Sequence, residues 1–187
     1  GAAKGTPVST ATSPAAETPA QETGTTGVVK KIDTAAQKIT FYNVSFNTVE
    51  EYQYSGGTEI LSQNSVDKSM SQVEPGQVYR YVTGSGSQML TRMQEASDIQ
   101  QLQEASVTVD AEKKQITVNG DTTYAYTDNL VVLSDGESIE PLEILDSDQV
   151  TFRGVKGLAY SLVVTKGHGY IKPTGYKDFL GGTLTVE

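Results

Sequence analysis

The sequence has no cysteine, one histidine and no cluster of Lys or Arg. Without cysteine there can be no disulfide framework, thiolate metal site or thiol nucleophile. The compartment stays open on this point, since small exported bacterial proteins often lack cysteine. The lone imidazole, His168, sits in Gly167-His168-Gly169-Tyr170, where flanking glycines imply an exposed turn rather than an oriented base. Against 14 Lys and Arg stand 23 Asp and Glu, a formal net charge of −9. Nucleic acid and anionic membrane surfaces both require clustered positive charge, so both are disfavoured as partners.

No window approaches the ~18 consecutive apolar residues of a membrane span, and no basic-then-apolar leader is present. The chain opens Gly1-Ala2-Ala3-Lys4 without Met, which reads as trimming from a longer polypeptide. Hydrophobic residues make up 36%. Average domains use about 45–50% when glycine is counted in, so the core is lean or divided.

What is present favours strands. Ten tyrosines accompany many Val, Thr and Ile, while long Leu-rich periodic stretches are missing. Residues 1–26 consist almost wholly of Ala, Thr, Pro, Ser, Gly, Glu and Gln, which cannot repay the entropy of folding. Pro7, Pro14 and Pro19 stiffen this segment into a spacer. The expectation is a disordered linker; it reads either as a simple tail or as a tether to an upstream lipid or membrane anchor.

The body of the chain repeats itself. The run from Val28 through Asp33 to Ile39-Thr40-Phe41 has the layout of Val107-Thr108-Val109-Asp110 through Ile116-Thr117-Val118, an offset of 77. At an offset of 72, Tyr52 and Tyr54 meet Tyr124 and Tyr126, Leu61-Ser62 meets Leu133-Ser134, Gln77-Val78 meets Gln149-Val150, and Leu90 meets Leu162. Met70 then falls on Leu142 and Val73 on Leu145. The first copy therefore carries five extra residues between Phe41 and Tyr52.

Asp33 and Asp110 lead hairpin turns, because Asp accepts hydrogen bonds from the backbone that follows it. Alternation over residues 37–44, 78–82, 115–118 and 161–165 buries one face of each strand. Residues 69–75 and 140–145 break alternation with apolar spacing of three and predict one short helical turn per copy. Residues 97–104 (SDIQQLQE) are the longer helical candidate, placed between the copies.

Five or six short strands in about 65 residues most economically close into a small barrel, which also hides sheet edges. The predicted fold is all-β: two tandem OB/SH3-like modules, residues 27–97 and 105–166, then a tail over 167–187. A module this small buries roughly 60% of its unfolded surface. The two should therefore pack together, with Tyr residues suited to the junction.

The Ile-Asp turn, the Ile-Thr strand, the Tyr-x-Tyr strand and the ending Val73-Glu74-Pro75-Gly76-Gln77-Val78 resemble small β-barrel domains of unknown function from bacterial secreted proteins and lipoproteins. Leu145-Asp146-Ser147-Asp148-Gln149-Val150 departs by placing Asp where the pattern has Gly. The tail, ending Gly182-Thr183-Leu184-Thr185-Val186-Glu187, resembles the start of a PEGA module, a β-repeat of bacterial cell-surface proteins. These resemblances imply a non-catalytic, envelope-anchored, extracytoplasmic protein.

Chemistry is sparse. Asp128, Asp135, Glu137, Glu140, Glu143, Asp146 and Asp148 are the densest acidic group, but Asp146-Ser147-Asp148 lacks the continuation of a calcium loop. They also lack the pairing of a buried and a solvated acid that glycoside hydrolysis needs. Gly84-Ser85-Gly86-Ser87 reads as a hairpin turn, not a phosphate loop. Tyr52, Tyr54, Tyr79, Tyr81, Tyr124, Tyr126, Tyr160, Tyr170 and Tyr176 fit either a sugar-stacking platform or core packing. No residue is assigned as catalytic, cofactor-binding or metal-ligating, and no cofactor is expected. The expected function is spacing or displaying other domains at the cell surface, with carbohydrate binding as the alternative. Possible partners are cell-wall glycan or another surface protein.

Overall fold

A computed structural model describes residues 24–165. The expected linker, save Gly24, Thr25 and Thr26, and the expected tail with His168, Tyr170, Tyr176 and the PEGA resemblance lie outside the described residues.

The first half contains β1 (Thr25–Asp33), β2 (Lys38–Asn43), β3 (Thr48–Gln53), β4 (Glu59–Leu61), β5 (Val78–Thr83) and β6 (Leu90–Glu95), with a 3-10 turn at Met70–Gln72. They form one sheet in the order β3-β2-β1-β5-β6-β4. The second half contains β7 (Gln100–Ala105), β8 (Val107–Asp110), β9 (Gln115–Val118), β10 (Thr122–Ala125), β11 (Val131–Ser134), β12 (Glu137–Ser138), β13 (Gln149–Val155) and β14 (Leu158–Thr165). Its sheet runs β12-β11-β14-β10-β9-β8, with β13 joining β14 to β7.

The molecule is all-β, as expected, but it pairs as two sheets and neither is a closed barrel. In the first, a single parallel bridge, Gln53 to Met89, links the end of β3 to the approach to β6. In the second, Ala125 to Leu158 plays the same part. One bridge each is far short of a full ladder.

The helix expected over residues 97–104 does not form. Gln100–Ala105 is strand β7, paired with β13. Five of its six residues are exposed, so it has no apolar stripe to bury as a helix, whereas β13 offers an open row of backbone partners.

Local structure repeats faithfully. Asp33 accepts the Ala36 N–H at 3.0 Å, and Asp110 accepts the Lys113 N–H at 3.1 Å. Each hairpin then closes through a left-handed residue, Gln37 or Lys114. The expected short turns are 3-10 turns at Met70–Gln72 and Pro141–Glu143. In each, the residue before the turn donates its N–H to the side chain three positions on, Ser69 to Gln72 and Glu140 to Glu143, both at 2.9 Å.

The offset of 72 does not run unbroken to the end. It holds to Leu61 and Leu133, then becomes 71 at the 3-10 turns and 69 in β6 and β14. The last change follows from hairpin length. Residues 84–89 join β5 to β6, whereas Lys156 and Gly157 suffice between β13 and β14. Leu90 therefore matches Ala159, not Leu162, and Val73 matches Ile144, not Leu145. Exposure agrees with this correction: Leu142 and Leu145 face solvent while Ile144 is buried.

With that register, the ten core residues of the first half all meet core residues of the second. Val29, Ile39, Phe41, Tyr54 and Ile60 correspond to Val107, Ile116, Val118, Tyr126 and Val132. Val73, Tyr79, Tyr81, Leu90 and Met93 correspond to Ile144, Val150, Phe152, Ala159 and Leu162. Volume is traded rather than kept: Phe41 stacks on Tyr81 at 4.2 Å, while Tyr124 tilts against Phe152 at 4.4 Å. Gly27 makes room for the first pair, since a Cβ there would lie 2.5 Å from the Tyr81 ring.

Candidate functional site

A third apolar cluster lies between the halves and binds them together. Val28, Tyr42, Val78 and Ala96 come from the first half, and Val131, Leu133 and Tyr160 from the second. The tyrosines of this cluster are Tyr42 and Tyr160. β11 carries the continuous apolar run Val131-Val132-Leu133 because both its faces are covered: Val132 points into its own core, its neighbours into the junction.

Polar ties ring this cluster. The hydroxyls of Tyr42 and Thr127 share a hydrogen bond at 3.1 Å. Asn129 donates through Nδ2 to the Asn47 carbonyl at 2.9 Å. Ser161 donates to the Gly76 carbonyl at 2.7 Å in a buried setting. Arg153 of β13 lies half-buried in the field of Glu95, Glu74 and Tyr79 from the first half; desolvation pulls its pKa down, opposed by those groups.

Beside Arg153 is a polar knot of the first half. Lys68 donates to the Tyr79 hydroxyl and to Glu95 Oε1, the latter at 3.0 Å, and sits 5.0 Å from the Tyr79 ring centre. Burial and then the charge of Glu95 push the Tyr79 phenol well above its ordinary pKa. These groups satisfy one another.

At one end of the first core, Glu50 Oε1 accepts hydrogen bonds from the Tyr52 and Tyr81 hydroxyls. Thr48 donates to its other oxygen at 2.9 Å and Asn43 reaches both. Burial works against ionisation here, but the four donors outweigh it and hold the carboxyl below its usual range. In the second half Tyr124 donates instead to Gln100 Oε1 at 2.6 Å.

A groove of about 560 Å³ lies on the second half, bordered on one side by Lys30 of β1 and running to the 3-10 turn after β12. Leu130, Ile139 and Leu142 supply its apolar wall, and Lys114, Asp128 and Glu140 its charged rim. Lys114 and Asp128 are ion-paired at its rim.

The acidic residues singled out in the sequence do not converge. Among the described residues no group of three or more His, Cys, Asp or Glu side chains is placed to hold a metal ion. Asp148 is buried, accepting the Leu145 N–H at 2.8 Å, and does the work that Gln77 does for Glu74 in the first half. The other six are exposed, Glu137 in β12 and the rest in loops or turns, with Asp128 and Glu140 on the groove rim. Tyr54, Tyr79, Tyr81, Tyr124, Tyr126 and Tyr160 are buried, with Tyr52 half-buried, so these rings pack the cores and the junction. Gly84-Ser85-Gly86-Ser87 is a hairpin connection, closed by Gly84 N–H to the Met89 carbonyl at 2.9 Å. The sequence reading passed over Tyr42, Ser161, Arg153 and Glu50; unbroken apolar pairs such as Val28-Val29 and Val131-Val132 were the one signal that pointed to the junction.

Among the described residues no helix is long and apolar enough to cross a membrane. Comparison with family models, with curated proteins and with solved structures gives no match.

Proposed function

We propose that the two halves are small barrels of the OB/SH3 kind, fused into one rigid, non-catalytic module that spaces or displays other domains outside a bacterial membrane. The pairing order supports the barrel reading. In the first half it is cyclic, β1-β2-β3, a bridge to the approach of β6, then β5 and back to β1. The second half repeats the circuit with β7 and β8 sharing the role of β1.

The observation that carries the display reading is the junction. Its apolar cluster and buried Ser161–Gly76 hydrogen bond hold two modules as one body, and rigidity is what a spacer requires. The Ala/Thr/Pro-rich start of the chain resembles an anchor-proximal tether, which supports the reading of an envelope module of a secreted or lipoprotein-type bacterial protein. An export signal upstream of Gly1 in the complete reading frame is the expected finding, and a reading frame without one overturns the reading.

The second reading, carbohydrate binding, rests on the groove of the second half, with its apolar wall and charged rim. A glycan array probed with the folded chain tests it, and an array without hits discards it.

A further inference from the structure

The two copies diverge where they touch, and the divergence has a direction. In the first half the contact is made by Val28, Tyr42, Val78 and Ala96. Strand register places Ser106, Asn119, Gln149 and Thr165 at the same positions of the second half. All four are polar and exposed. The matching holds internally, since Val28 lies beside Tyr42 as Ser106 lies beside Asn119, and Val78 beside Ala96 as Gln149 beside Thr165.

The opposite surface behaves likewise. The second half receives its partner on Val131, Leu133 and Tyr160. The first half carries Glu59, Leu61 and Thr91 there, with Glu59 ion-paired to Arg92 at 3.1 Å. Leu61 is already buried within the first half, so the surface left open is charged and polar.

A junction that joins the front of one copy to the back of the next is heterologous. Such a contact propagates into an open array unless its outer faces are blocked. Here both are. Docking another copy would desolvate Asn119, Gln149 and the Glu59–Arg92 pair against surfaces that offer them no matching partners. We infer that the junction is a one-way contact that terminates at two copies: neither a second chain nor a further module of this type can add to either end through it. The inference rests on the junction alone and stands whatever the module displays.

The experiment uses the full chain. Changing Ser106→Val, Asn119→Tyr, Gln149→Val and Thr165→Ala together with Glu59→Val and Thr91→Tyr gives both outer faces the residues used at the junction. The variant, once circular dichroism shows native strand content, is expected to reach a weight-average mass that climbs with concentration in sedimentation. A folded variant that stays a single copy overturns the inference. Should it fail to fold, a second variant decides. Asn119→Cys with Thr91→Cys places one thiol on each exposed face of a chain without cysteine, and oxidation is expected to give no ladder of linked copies on a non-reducing gel. A ladder overturns the inference.

Discussion

The Ser161 hydroxyl and the Gly76 carbonyl, 2.7 Å apart and buried, join the turn before β5 to the middle of β14 across the junction. Removing the donor in Ser161→Ala leaves a buried carbonyl unsatisfied and should cost about 1–3 kcal/mol in urea denaturation. Gly76→Ala should cost more. Gly76 has φ +97°, and an added Cβ would lie 2.5 Å from Val163 Cγ2, so the methyl is both strained and in collision. The double variant should fall short of the sum of the two, since both act at one contact.

Met93 and Leu162 occupy the same position in the two cores, each fully buried. Met93→Ala and Leu162→Ala should each cost about 2–5 kcal/mol. Because the third cluster couples the halves, each variant should lower one shared transition. Far-ultraviolet circular dichroism and tyrosine fluorescence are expected to give coincident curves; a two-step melt would show that the halves unfold independently.

Acid stability should depend on Glu50. Its folded pKa lies below the unfolded value, because hydrogen bonds from Tyr52, Thr48, Asn43 and Tyr81 overcome the opposing effect of burial. The stabilisation is therefore present above the unfolded value near ~4.3 and is lost as pH falls through the folded one. In Glu50→Gln, the melting temperature should decline less steeply on acidification than in the parent, at some loss of stability near neutrality.

The alkaline side has the opposite sign. Burial, seconded by Glu95 at Tyr79 and by Tyr52 at Tyr81, raises both phenols above their ordinary value. Their contribution is complete below about pH 10 and is lost as pH rises beyond it, because the unfolded phenols ionise first. Ultraviolet titration should show these phenolates appearing only with unfolding, and Tyr81→Phe should shift that step to higher pH.

Much of this was legible from residue order. Asp33 and Asp110 announced their turns, Tyr52-x-Tyr54 and Tyr124-x-Tyr126 announced matching strands, and these signals are local because each rests on bonds within a few residues. Residues 97–104 were misread for a related reason: a polar run with only Ile99 and Leu102 carries too little apolar pattern to fix its own period, and pairing with β13 decided its fate. Register after Leu61 and Leu133 was also beyond reach, since one deletion and a shorter hairpin shift the match without disturbing alternation.

The sequence by itself determined the all-β class, the duplication, the hairpin turns and the absence of thiol chemistry, because these follow from side-chain types and their spacing along the chain. Only the tertiary structure decided which apolar residues fill a core and which fill the junction. Val28 and Val29 are alike in composition, yet they point to opposite faces of one strand. What each meets depends on strands some fifty to a hundred residues away, and no local pattern contains that information.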